Sequence, residues 1–350
     1  MKTLTPEMIS KLPKIELHRH IEGSFHVPTL YKMAQKNGLD FPPNYKEFAE
    51  AMCFPHDATP NFALFLSKFY NTWYDDLDDV HAVVYNSMLN IDNNENLFYA
   101  EVRFNPFHYC INKGFDPAET LNTFLQASRT AIKDSKKNIN LLLTINRGFY
   151  DEMHYIEVFK DLIKKVDFNS IVGVDLAGDE VNFPPEKFKR FFDYIHSELG
   201  YPMTIHAGEV TDAQQIRTAI DMLHAQRIGH GVKLIDDPAL IAQVKEQRIA
   251  FEMCPISNYQ TSAHPIYATH PIKQLFNNGV LVTLNSDDPT VQGTTLNDDY
   301  TICHQYLGFG LPEFKQLNLN SIEASFLNDA DKCTLKARFN EQWQAAVLSL

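Results

Sequence analysis

The chain has 350 residues, 44% of them apolar and 21% charged, enough to bury a sizeable core as one large domain or two ordinary ones. Its 31 basic against 44 acidic residues give a formal charge of −13. That argues against holding nucleic acid or an anionic membrane through bulk charge and favours a small neutral or cationic ligand.

In chain order, the N-terminal stretch Met1-Lys2-Thr3-Leu4-Thr5-Pro6 lacks an apolar signal core, and no apolar run approaches membrane-spanning length. The five cysteines, odd in number and without CxxC spacing, do not make a disulfide framework. The cytoplasm is the expected compartment. Apolar strand candidates follow at 15–20, 97–104, 140–147, 171–177, 203–209, 227–231, 249–255 and 280–287. After the first comes a long insertion, about residues 54–75, with Phe62, Phe65, Leu66, Phe69, Tyr70 and Trp73 at helical spacing. It reads equally as core packing or as a mobile lid, because barrel enzymes keep substrate-covering elements there. Asp116-Pro117-Ala118-Glu119 reads as an N-cap, a proline at the first helical position and a capping-box glutamate, opening a helix with Leu121, Phe124, Leu125 and Ile132 on one face. Asp237-Pro238 opens another helix in the same way, and Gly279 closes the helix before the last strand. The segment 297–350 carries Phe314, Leu317, Ile322, Phe326, Leu335, Phe339 and Trp343 in helical pattern and is expected to pack outside the rest.

Eight near-continuous apolar strands alternating with helices predict an α/β fold, a (β/α)8 TIM barrel with extra helices in one domain spanning residues 1–350. A doubly wound open sheet is the alternative, disfavoured because no GxGxxG follows the first strand. In such a barrel the active site lies at the C-terminal strand ends, and chemistry-bearing residues collect there. His18 and His20, one residue apart, can grip an ion from one strand. His206-Ala207-Gly208-Glu209, Gly229-His230-Gly231 and Ser286-Asp287-Asp288-Pro289 end later strands. A catalytic zinc takes three or four N/O ligands and keeps a position for water. His18, His20 and His206 supply imidazoles and Asp287 a carboxylate. If strand geometry persists, Asp288 points elsewhere and is free for substrate; Glu209 and His230 remain to move protons. The other ten histidines, His26, His56, His81, His108, His154, His196, His224, His264, His270 and His304, read as surface or capping residues. Cys254 reads as a small buried hydrophobe. Asp179 and Glu180, at a strand end, read either as orienting groups or as an ordinary cap.

Together the motifs resemble the adenosine deaminases of the metal-dependent aminohydrolase superfamily, nearly end to end. The anchors are residues 13–20 (Pro13 to His20), Asp175-Leu176-Ala177-Gly178-Asp179-Glu180, Thr204 to Glu209, Arg227 to Gly231, Cys254-Pro255-Ile256-Ser257-Asn258 and Asn285 to Pro289. The resemblance implies one zinc per chain at His18, His20, His206 and Asp287. It implies Glu209 at the purine N1, Gly178 at N3, Asp288 at N7 and His230 beside the attacking hydroxide, with Asp287 assisting and His20 also on the substrate side. The implied reaction is hydrolysis of adenosine and deoxyadenosine to inosine and deoxyinosine with release of ammonia, a step of purine metabolism. The implied partner is a small purine nucleoside, not nucleic acid or membrane, with the chain a monomer or weak homo-oligomer.

One position departs from the pattern. These enzymes usually carry Asp two residues after the second histidine, at the ribose 5′-hydroxyl; here it is Glu22. Glu22 reaches the same hydroxyl or marks a free base or 5′-altered nucleoside, since relatives acting on adenine often carry Glu there. Against adenine, those relatives commonly place Asp before the sixth-strand histidine, where this chain has Gly229, and Val291 to Leu296 resembles the nucleoside enzymes. Adenine, or another 6-aminopurine nucleoside, is the alternative substrate. A non-catalytic zinc-binding member is disfavoured because a structural ion requires neither Glu209 nor His230. A two-metal hydrolase of the same barrel is disfavoured because no lysine ends the fourth strand.

Overall fold

The computed structural model describes residues 4–92, 94–111 and 113–350. Eight parallel strands form one sheet in sequence order: β1 Lys14–His20, β2 Leu97–Phe104, β3 Ile139–Asn146, β4 Ile171–Ala177, β5 Met203–Ala207, β6 Arg227–His230, β7 Ala250–Met253 and β8 Leu281–Leu284. Helices cover the outside, giving the (β/α)8 barrel expected from the alternation. The expected helix starts hold. Asp116 Oδ1 accepts the Ala118 and Glu119 N–H groups at the head of Pro117–Ser135. Asp237 does the same for Pro238–Gln247. Glu119 itself is exposed, and the cap belongs to Asp116.

Later strands stop sooner than apolarity predicts. β7 ends before Pro255, which opens the helix Pro255–Gln260, as a residue without an N–H is suited to do. β8 ends at Leu284, yet the ring closes beyond it. Arg19 and Asp287 form an isolated parallel bridge; Asp287 N–H donates to His18 O (2.9 Å) and His20 N–H to Asp287 O (3.0 Å). Deeper in this seam, side-chain amides replace the ladder. Asn318 Oδ1 accepts the Ile15 N–H (2.7 Å), Asn285 Oδ1 the Leu17 N–H (3.0 Å), and Asn320 Nδ2 donates to Val282 O (2.9 Å). Asn318 and Asn320 belong to the helix Leu311–Ala324, so the C-terminal segment satisfies backbone groups that burial would otherwise leave costly.

The interior is not purely apolar. Glu101, Arg103, Asp175, Arg227 and Glu252 are buried. Arg103 lies 2.6 Å from Glu252 Oε2 and 3.4 Å from Asp175 Oδ1; Arg227 lies 2.5 Å from both Glu101 Oε2 and Glu252 Oε1. Buried charges persist only when paired in this way. The five cysteines are free thiols. Among the described residues no helix is long and apolar enough to cross a membrane.

Candidate active site

The C-terminal strand ends surround a cavity of about 260 Å³. On its floor, imidazoles from β1 and β5 meet the residue that closes the barrel. His18 Nδ1 is 2.7 Å from Glu252 Oε2, and His206 Nδ1 is 3.0 Å from Asp175 Oδ1. A carboxylate is an acceptor, so each Nδ1 carries the proton and each Nε2 keeps its lone pair. His18 Nε2 is buried without a hydrogen-bond partner and lies 3.2 Å from Asp287 Oδ1. His20 Nε2 is 3.4 Å from the same oxygen and 3.2 Å from His206 Nε2. A tetrahedral ion with bonds of ~2.0–2.1 Å keeps its ligand atoms about 3.4 Å apart. Lone pairs and a carboxylate oxygen held at that spacing fit a cation. Among the described residues two groupings bring ligand atoms within 4.8 Å of one another: His18, His206, His230 and Asp287, and His20, Asp175 and His206. Asp175 already binds His206 Nδ1, on the far side of that ring. His230 Nε2 approaches Asp287 Oδ2, at 3.8 Å, rather than the Oδ1 shared by His18 and His20. The candidate donor set is therefore His18, His20, His206 and Asp287.

Backbone strain shapes this floor. His230 and Asp287 both have positive φ, 59° and 69°, uncommon for residues with a Cβ and frequent at functional sites. The expectation that strand alternation separates Asp287 from Asp288 rests on a strand that has already ended; the left-handed turn at Asp287 separates them instead. Asp288 packs beneath Gly23, where an added Cβ would fall 1.7 Å from Asp288 Oδ1. Burial and the neighbouring Asp287 charge hold the Asp288 carboxyl well above its usual range. Glu209 lies past the end of β5, 3.7 Å from His230 Nε2. Burial, then Glu180 and Asp287, push it well up. Both surroundings favour the protonated form of these carboxyls. Gly178 lines the wall with φ +93°, a conformation that favours glycine.

Glu22 also lines the cavity and accepts the Asn105 N–H (2.9 Å); burial raises its carboxyl to about 7. Asp179 caps a local turn through the Val181 and Asn182 N–H groups. Glu180 instead crosses to the Val210 and Thr211 N–H groups, fixing the loop that carries Glu209. Of the aromatic stripe, Phe62, Phe65, Leu66 and Phe69 face the cavity. Phe65 packs with Phe54 and Val291 in a small cluster apart from the main core, which takes Trp73. Asn105, His108, Asn146, Arg147 and Phe149 also line the cavity. His108 and His270 are buried, contrary to their reading as surface or capping residues. Asn105 and Arg147 follow β2 and β3, so the rule that singled out the other motifs, polar residues at C-terminal strand ends, would have found them. Glu252 was detectable as a charge inside an apolar run.

Buried carboxyl groups that favour their protonated form, set beside an ion-sized gap at the mouth of a barrel, are suited to adding water to an unsaturated carbon, as barrel hydrolases do. Comparison makes this specific. The adenosine deaminase family signature matches residues 13–342. The adenosine deaminase of Vibrio parahaemolyticus is 34% identical over 96% of this chain and 100% of its own length. The solved adenine deaminase of Arthrobacter aurescens superposes with a TM-score of 0.84 at 28% identity, covering 94% of this chain and 98% of its own. A Burkholderia ambifaria amidohydrolase with bound zinc, 23% identical, shares the fold, with a TM-score of 0.87 over 98% of this chain and 94% of its own. The chain belongs to the adenosine deaminase family and is a hydrolase of cyclic amidine C–N bonds.

By elemental analysis the unaltered protein should hold one metal ion per chain, and His206→Ala should lose it while keeping a near-normal circular dichroism spectrum. Two tightly held ions per chain, or full metal content in the variant, would contradict the donor set.

Proposed function

We propose that the protein deaminates adenosine and 2′-deoxyadenosine to inosine and deoxyinosine, with zinc at His18, His20, His206 and Asp287. The observation that carries this reading is the placing of two buried carboxyls, Glu209 and Asp288, in one cavity with the donor set, in surroundings that favour their protonated form. A purine offers acceptors at N1 and N7, and a carboxyl group bonds an acceptor only while it keeps its proton. Zinc, when bound, lowers the pKa of water from 15.7 towards ~7 and so supplies hydroxide near neutrality. Attack at C6 drives electron density onto N1, and Glu209 releases its proton there as the charge develops. Asp288 donates to N7, and the backbone at Gly178 faces N3. The proton left on the attacking oxygen passes to the amino group, which departs as ammonia; N1 keeps its new proton in the product, and the proton given up by the water restores Glu209. His230 and Asp287 flank the attacking oxygen, and His20 lies on the substrate side of the donor set. The free thiols fit a reducing compartment, the cytoplasm.

Charge favours a nucleoside over a nucleotide. Asp179 and Asp287 line the cavity, whereas among the described residues its lining includes Arg147 and no lysine. Arg147 is turned inward, donating to His206 O (2.7 Å). Among the described lining residues this guanidinium is the one arginine or lysine that a phosphate would meet. Glu22, anchored by Asn105, takes the 5′-hydroxyl. The segment 54–75 is read as a lid, because Phe65 joins a small separate cluster and local stability follows apolar contact.

Three measurements test these assignments. In a panel of purines, adenosine and 2′-deoxyadenosine should exceed 5′-deoxyadenosine, adenine and AMP in kcat/KM, since a site built around a hydroxyl is left unpaired without it. If adenine or a 5′-modified nucleoside leads, adenosine is the wrong substrate. Glu209→Gln should retain metal yet lose about 10²–10⁴-fold in turnover; a loss below about tenfold would remove Glu209 as the acid. Phe65→Ala should raise KM for adenosine while costing less than the ~3–5 kcal/mol typical of a core phenylalanine. The reverse result would make the segment part of the core.

A further inference from the structure

His230 is backed by a chain of three hydrogen bonds that leads away from the cavity. Its Nδ1 lies 3.1 Å from Asn258 Nδ2 in the helix Pro255–Gln260. Asn258 Oδ1 lies 3.1 Å from His270 Nε2. His270 Nδ1 receives the backbone N–H of Ile272 at 3.3 Å, at the head of the helix Ile272–Asn277. All three side chains are at least 98% buried. The directions can be worked out from the far end. A backbone N–H only donates, so His270 Nδ1 is an acceptor. Burial lowers His270 to about 3, with His264 adding to the shift, so the ring is neutral and its one proton is on Nε2. That proton requires an acceptor, which orients the Asn258 oxygen towards His270 and its NH₂ towards His230. His230 Nδ1 then accepts, and in the neutral imidazole the proton is left on Nε2. That nitrogen points into the cavity, between Glu209 Oε2 at 3.7 Å and Asp287 Oδ2 at 3.8 Å.

We propose that Asn258 and His270 are positioning residues that hold His230 as its Nε2–H tautomer, so that it gives a hydrogen bond to the attacking oxygen instead of taking that oxygen's proton. The catalytic meaning rests on the deaminase reading above; the tautomer does not. A backbone amide two elements away thereby sets which face of a catalytic imidazole is the donor. The positive φ of His230 aims the ring so that both of its nitrogens are used, one on the relay and one on the cavity.

The test uses full-length protein with ¹⁵N-labelled histidine, read by imidazole ¹⁵N–¹H correlation spectra in the metal-free state and by steady-state kinetics in the metal-loaded state. The His230 signals are assigned by their loss in His230→Gln. The unaltered protein should show His230 protonated at Nε2. Asn258→Asp offers Nδ1 only an acceptor and should move the proton there. Turnover should fall steeply while KM changes little; a tautomer held the wrong way costs about 10⁴-fold in kcat in serine proteases. His270→Phe frees the Asn258 amide to turn and should lower kcat and mix the two tautomers. His270→Gln keeps a donor for Asn258 and should restore both. A purely structural role for His270 would not separate Phe from Gln at equal thermal stability. Finding His230 protonated at Nδ1 in the unaltered protein overturns the proposal. So does equal kcat for the two His270 variants with the His230 signals unchanged, which also decides the matter should Asn258→Asp not fold. If the unaltered protein deaminates no purine, the functional reading fails, while the spectra still decide the tautomer.

Discussion

A single carboxylate inside the barrel, Glu252 of β7, holds the functional floor to the fold. It lies against His18 Nδ1, Arg103, Arg227 and the Thr204 hydroxyl, joining four other strands. Burial alone would raise this carboxyl, but the two guanidiniums beside it hold it well below its usual range. It stays ionised, and as an acceptor it holds the His18 proton on Nδ1 and leaves the opposite nitrogen with its lone pair. Such a lattice adds little net stability over a well-packed apolar core, whereas removing one partner from a buried pair costs about 3–5 kcal/mol. Its value here is in orientation: Arg103 also reaches Asp175, which fixes His206 in the same sense.

The site divides proton states by environment. Glu252 and Asp175 lie beside cations that favour their charged form; burial and neighbouring carboxylates push Glu209 and Asp288 towards their protonated form. The same functional group therefore serves as an anchor below the floor and, in the proposed reaction, as a proton donor above it. Imidazoles stand at the boundary between the two populations, where both orientation and a lone pair are required.

Much of this was legible in the sequence because barrel enzymes put chemistry at strand ends, and strands are visible as apolar runs. His18, His20, His206, Glu209, His230 and Asp287 follow from that rule alone. The pairing of Arg103 with Glu252 and Asp175 does not, because charges on different strands leave no periodic trace along any one of them. The Asn258–His270 relay was hidden for a similar reason. Both residues sit in short segments after β7 with no apolar rhythm, and His270 looks like any solvated histidine until burial is known. Strand ends were overrun wherever apolar residues continued into a turn, as at Asp287, whose left-handed backbone has no sequence signature outside glycine.

The seam between β1 and β8 has a consequence for how the chain comes to be made. Glu16 accepts from Ser286, 270 residues later, and the two backbone bonds of Asp287 go to His18 and His20. The first strand emerges early in synthesis with its imidazoles in place but lacks its partners until nearly the whole polypeptide exists. Non-local closure of this kind is slow, and exposed strand edges invite misassembly meanwhile. A nascent or truncated chain that stops before Asp287 has an open ring and an incomplete set of donors. With the donor set proposed above, Asp287 would be both the last donor to be made and the residue that closes the ring, so a chain cut short of it would carry three imidazoles on an unfastened barrel.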